Sequence, residues 1–154
     1  GVASCSESRI ESVTTVYSYG HYGAAASKIH GASTVRGYGY YSLLYATVDS
    51  TDISQMTVKL YGVDAGYGSN IICQKGSQCT LTCKGGGCLN ADFVCLYGST
   101  CTVSPQHCLS DNSVSSFEGI SCPTWKISES LEDDEGFTGF MIQKEAEKEQ
   151  NIKW

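Results

Sequence analysis

The sequence predicts an all-β fold, a right-handed parallel β-solenoid of about five coils, and three observations carry that reading. An interval of thirteen residues recurs, from Val16 to Ile29, Val35 to Val48, Val58 to Ile71 and Leu81 to Val94. Shorter legs join these pairs: six residues from Ile10 to Val16 and from Ile29 to Val35, then ten, ten and nine. A Thr precedes the first apolar position of every coil, as Thr15-Val16, Thr34-Val35, Thr57-Val58, Thr80-Leu81 and Thr102-Val103. Repeats of this length, each supplying the same apolar positions, stack so that neighbouring coils share one core. Spacing alone does not dictate the hand; the variable repeat length favours a right-handed coil over left-handed helices with strictly equal sides.

Residues 1–9 read as a lead-in containing Cys5, 10–122 as the solenoid and 123–154 as an acidic tail. Each solenoid strand should be short, with a central aliphatic inward and its flanks outward. The second strand of each coil contributes Ile10, Ile29, Val48, Ile71 and Val94 to one inward column, with Phe117 a candidate further member. Gly20, Gly23, Gly31, Gly37, Gly39, Gly62, Gly66, Gly68, Gly76, Gly85 to Gly87 and Gly98 mark the turns and are expected to supply corners at positive φ. The longer leg holds its own inward positions, Ala24/Ala26, Leu43/Tyr45 and Leu89/Ala91, which predicts a third side and a triangular cross-section. Beyond Cys122-Pro123, Trp125 to Ile127 is a candidate extra strand. An acidic loop from Glu129 to Glu135, an apolar segment from Phe137 to Ile142 and a charged stretch of good helix formers from Gln143 follow. An open solenoid end exposes core and unpaired backbone, so this tail reads either as a cap on its own end or as an arm covering a neighbouring subunit.

Composition bounds the function. At 154 residues the chain is one domain, able to bury roughly two-thirds of its unfolded surface. No apolar stretch approaches the roughly 20 residues of a membrane-spanning helix. Nine cysteines, closely spaced, fit an oxidising compartment, and the start at Gly1 suggests a secretory signal already removed. The expectation is an extracellular or cell-surface protein. Of the net charge of −6, the tail carries −4 (eight acids, four bases) and the body only −2 (eight acids, six bases). A nearly neutral body with no basic stripe argues against nucleic acid.

Three cysteine pairs fall at matching corners, Cys73/Cys79, Cys83/Cys88 and Cys95/Cys101. Counted from the strand, Cys83 and Cys88 take the places of Ser18 and Gly23 in one coil and Gly37 and Ser42 in another. A position alternating between a Cys pair and a small pair suggests two residues close together across a corner, hence disulfides within each coil. Cys108–Cys122 is left as a closing pair and Cys5 as the odd thiol. Metal binding is the competing reading, but no CxxC occurs and His21, His30 and His107 are scattered.

The half that bears these cysteines resembles the cysteine-rich β-helical repeats of secreted and cell-surface proteins of algae, oomycetes and other protists. The residues carrying the resemblance are Cys73, Gly76, Ser77, Cys79, Thr80, Leu81, Cys83, Cys88, Ala91, Val94, Cys95, Gly98, Ser99, Cys101, Thr102 and Val103. Residues 71–104 match well; residues 10–70 keep the spacing without the cysteines. The resemblance implies a right-handed parallel β-helix with an extracellular structural or adhesive role, and it implies no catalytic residues or cofactor.

Several functions compete. Polysaccharide cleavage needs clustered carboxylates, yet Asp49, Asp52, Asp64, Asp92 and Asp111 fall on different corners. Asp49 and Asp52 come nearest to a pair, with Arg36 and Lys59 one coil to either side. Ice binding would use the outward Thr column, but the column two residues on reads Tyr17, Arg36, Lys59, Thr82, Ser104, with charge in the middle. β-branched Thr suits an exposed strand site in any case. Tyr19/Tyr38 and Tyr22/Tyr41 are each nineteen apart and should stack in adjacent coils, with Tyr17, Tyr40, Tyr45 and Tyr61 nearby. Such tyrosines either pack the cysteine-free corners, contact another subunit or bind glycan. Phe137 and Phe140 are further candidate contacts. The expectation is a non-enzymatic structural subunit of an extracellular filament or surface layer, a homo-oligomer joined head to tail. A carbohydrate-binding or adhesive module using the tyrosines is the alternative, with polysaccharide or O-linked glycan as the partner.

Overall fold

The structure, a computed structural model, describes residues 6–104, 116–117 and 120–128, with side chains for 6–104 and 122–124. It is a β-solenoid. One parallel sheet stacks β1 (Arg9–Glu11), β3 (Lys28–His30), β5 (Thr47–Asp49), β7 (Asn70–Cys73), β9 (Asp92–Leu96) and β13 (Thr124–Ser128) in that order. The other stacks β2 (Thr15–Ser18), β4 (Thr34–Gly37), β6 (Gln55–Leu60), β8 (Gln78–Cys83) and β10 (Thr100–Ser104). Strands alternate between the sheets along the chain, so each coil lays one rung on each. The third side holds no strand. It is built of turns whose amides still bond to the next coil, as in Ala24 N–H to Ser42 O (2.8 Å), Leu43 to Ala65 (2.7 Å) and Gly66 to Gly87 (2.9 Å).

The inward columns follow the sequence period. Val16, Val35, Val58, Leu81 and Val103 are successive register partners, and the last four are no more than 1% exposed. Ile10, Ile29, Val48 and Ile71 align likewise. Each such buried side chain contributes about 1.5–3 kcal/mol through burial, enough that the repeats hold one another in place. The expected last member of this column is corrected: Phe93, not Val94, pairs with Ile71 and lies in the core at 1% exposure. The leg from Leu81 is one residue shorter than its predecessors, and a one-residue shift in a strand exchanges its faces. Val94 therefore turns outward beside Ile72, and with Leu96 these residues form a small second apolar cluster. Phe117 does not extend the column either; β11 (Ser116–Phe117) pairs antiparallel with β12 (Ile120–Ser121).

The third side also needs correction. Ala24, Leu43 and Ala91 are buried as expected, but Ala26 and Tyr45 are exposed and Leu89 is half-buried. Ala26 and Tyr45 adopt φ of 55° and 54°, a left-handed corner that turns the side chain away from the core. The same corner recurs at Glu7, Gly68 and Asn90, so it belongs to the coil and not to one residue type. The stack reaches past Cys122-Pro123, because β13 pairs with β9 over five residues.

All three corner disulfides form within coils: Cys73–Cys79, Cys83–Cys88 and Cys95–Cys101, with Cα separations of 5.9, 5.5 and 6.4 Å. The strand register places Ser18, Gly37, Leu60 and Cys83 in one column. Cys122 is fully buried and disulfide-bonded; Cys5 and Cys108 lie outside the described residues.

Candidate functional site

Nine of the ten tyrosines fall between residues 17 and 67, on the coils without disulfides. Two ladders result. In the first, Tyr17 stacks on Tyr19 (centroids 5.8 Å apart, planes 7° apart) and Tyr19 on Tyr38 (5.1 Å, 18°). Tyr61 then meets Tyr38 edge-on at 5.3 Å. Cations close the ladder at both ends: Arg36 lies 5.3 Å from the Tyr17 centroid and the Lys84 ammonium 5.7 Å from that of Tyr61. In the second, Tyr22 stacks on Tyr41 at 5.7 Å, and Tyr40, Tyr67 and Tyr45 join at steep angles. The Tyr40 hydroxyl against Tyr41, with partial desolvation, pushes the Tyr41 phenol up to about 12.

The ladder geometry decides what these rings offer. The nineteen-residue coil sets Tyr19 on Tyr38 and Tyr22 on Tyr41 face to face, whereas Tyr61 and Tyr67 meet their neighbours edge-on. Tyr17, Tyr19 and Tyr45 remain more than half exposed. A sugar stacks on an open ring face, and Tyr19, stacked with both Tyr17 and Tyr38, has little left to offer. The pairs Tyr19/Tyr38 and Tyr22/Tyr41 are thus brought together as expected. Tyr67 is an addition that the nineteen-residue interval does not find, since the next leg is longer. Phe137 and Phe140 lie outside the described residues.

A second cluster sits on the outer face of the first sheet. Glu11, His30 and Asp49 are register partners in one outward row. Asp49 is buried, and its carboxylate accepts from His30 Nδ1 (2.5 Å), Thr51 N–H (3.0 Å) and Thr51 Oγ1 (2.5 Å). The pair was legible in principle, because His30 and Asp49 each directly follow an inward column residue and stand nineteen apart. Asp52, by contrast, is exposed at a corner with φ 62°, and Arg36 and Lys59 pair in register on the other sheet. Asp49 is buried and Asp52 exposed, so the two carboxylates sit in different settings. No three His, Cys, Asp or Glu side chains among the described residues converge as a metal site would require. No helix among them is long and apolar enough to cross a membrane. No protein-family model, curated protein or solved structure matches this chain.

Proposed function

We propose that this chain is a non-enzymatic structural subunit of an extracellular filament or cell-surface layer, joined end to end through its first coil. The observation that carries the reading is the state of that coil. Among the described residues, β1 pairs only with β3 and β2 only with β4, so both sheets end in an edge strand at the same end. Val16 is the most exposed member of its column at 8%, Ile10 is only partly buried and Val13 is 37% exposed. Edge strands with unpaired backbone and uncovered apolar residues recruit another strand. A second copy matches best, because its coils repeat the same strand spacing and inward columns. A heterologous contact of this kind propagates without closing. Three local disulfides and the resemblance of residues 71–104 to secreted repeats support an extracellular setting.

Electron microscopy of the purified protein tests this. Filaments are expected from the unaltered chain, and Val13→Asp should abolish them while leaving the far-UV spectrum unchanged. Monodisperse particles from the unaltered chain at every concentration would rule the reading out. A truncation that probes the tail must keep β13, hence end after Ser128 and not at Pro123.

A further inference from the structure

We infer that the step between the second and third coils is a binding notch for a neutral oligosaccharide, separate from the tyrosine ladders. The step arises from leg length. The corner between β3 and β4 is Gly31 to Ser33, whereas that between β5 and β6 runs from Ser50 to Ser54. The longer corner overhangs the shorter one. Gly31, at φ +71°, lies so close beneath it that a Cβ there would sit 2.8 Å from the Thr51 carbonyl oxygen. The overhang therefore packs closely on the coil below at Gly31, with depressions to either side.

Two depressions flank this overhang, and a third adjoins the first. One of ≈ 500 Å³ lies on the Thr-bearing sheet, lined by Ser33, Thr34, Ser54, Gln55 and Thr57, with Asp52 and Ile53 at its rim. One of ≈ 250 Å³ lies across Asp52 and Ile53, against His30, Ser12 and Thr51. The third, ≈ 220 Å³, continues from Gln55 and Thr57 to Gln78 and Thr80 on the next coil. The first and second share Asp52 and Ile53 around the corner, and the first and third share Gln55 and Thr57 along the coil axis, so the notch reaches from Ser12 on the first coil to Gln78 and Thr80 on the fourth.

The lining chemistry specifies the ligand. Hydroxyls and carboxamides both donate and accept, as a polyol requires, and Asp52 adds one acceptor. Ile53 supplies a half-buried apolar surface for the C–H face of a sugar ring. On the far side, Asp49 holds His30 through Nδ1, so the ring is fixed and its Nε2 is left for another partner. An anion would meet Asp52 and Glu11, and an apolar ligand would leave the hydroxyls unpaired. A neutral, hydroxyl-rich chain leaves neither problem. The register of Gln55 with Gln78 and Thr57 with Thr80 repeats the same donors one coil on, as suits a ligand that itself repeats.

Amide NMR of the full chain tests this, with neutral tetrasaccharides of β-linked glucose, β-linked N-acetylglucosamine, mannose and galactose as probes. At least one should shift the amides of residues 31–34, 51–57 and 78–80 saturably, leaving Val103 unmoved. Gln55→Ala and Thr57→Val should each weaken binding by up to about tenfold, the effect of one lost hydrogen bond. Tyr19→Leu should not weaken it. Unchanged Leu43 and Val103 amides, away from both substitutions, show that each variant is folded. No shift with any of the four sugars, or shifts centred on the tyrosines, would overturn the proposal. Filament formation is scored separately by microscopy, so either reading can fail alone.

Discussion

The two halves of the solenoid solve one problem in different materials. Coils spanning residues 71–104 carry three corner disulfides, while those spanning 15–67 have none and carry nine of the ten tyrosines. The corner column is shared: Cys83 stands where Leu60, Gly37 and Ser18 stand in earlier coils. Across the corner the partners change in step. A Cβ on Gly37 would lie 2.7 Å from Ser42 Oγ, one on Gly23 2.6 Å from Ser18 Oγ, and one on Gly66 2.5 Å from Leu60 Cδ1. Space that two sulfur atoms fill in one coil is filled by one hydroxyl or one leucine in another. The lesson is that a solenoid corner needs its volume filled and its chain held. Covalent bonds do both within a coil, and aromatic ladders do the holding between coils.

The comparison breaks most readily where backbone stacks on backbone. In the tyrosine half, a Cβ on Gly39 would lie within 2.2 Å of the Gly20 backbone, which cannot move without shifting a coil. Gly39→Ala should therefore cost on the order of 3 kcal/mol in denaturant unfolding, as severe overpacking does. Gly76→Ala in the disulfide half meets nothing within 4 Å but must hold φ near +86°. It should cost only about 1–2 kcal/mol. A Gly39→Ala loss no larger than that of Gly76→Ala would mean that close backbone stacking is not what limits the tyrosine half.

Next in size is a direct exchange of staples. Replacing Cys95 and Cys101 by Ser opens a loop with a sequence separation of 6. Loops so short remove little chain entropy, so the loss should stay near or below about 2 kcal/mol. Tyr19→Leu with Tyr38→Leu keeps apolar bulk and removes one stacked pair, for a loss of about 0.5–1.5 kcal/mol. Urea titration of both variants sharpens the comparison. A tyrosine pair that costs nothing would show that the ladders hold no coils together.

The smallest effect is confined to alkaline pH. The folded Tyr41 phenol, at about 12, titrates above its ordinary value of 10.0, so the native state keeps a proton the unfolded chain has released. Its contribution is complete below pH 10 and is lost as pH rises towards 12. Tyrosinate absorbance should show a late-titrating phenol that moves earlier in Tyr40→Phe, since the Tyr40 hydroxyl is the largest cause of the shift. A titration unchanged by Tyr40→Phe would remove that coupling from the second ladder.

Much of this was legible in the chain because a parallel stack repeats side chains at the coil interval. The recurring Thr–aliphatic pair put Val16, Val35, Val58, Leu81 and Val103 in one column, and coil-to-coil matching likewise placed three disulfides and two tyrosine pairs. Periodicity reports which residues share a column and is silent on a leg that loses one residue. Only the fold decided that Phe93 turns inward and Val94 outward, because hydrogen-bond register between neighbouring strands, not distance along the chain, sets the face. Likewise the left-handed corners sent Ala26 and Tyr45 outward, against the reading of their apolar character. Ring faces meeting along the ladders, Asp49 closing on His30, and a long corner overhanging a short one are all contacts between coils. Each depends on how far one coil sits from the next and how its side chains turn, quantities that enter only when the coils are stacked.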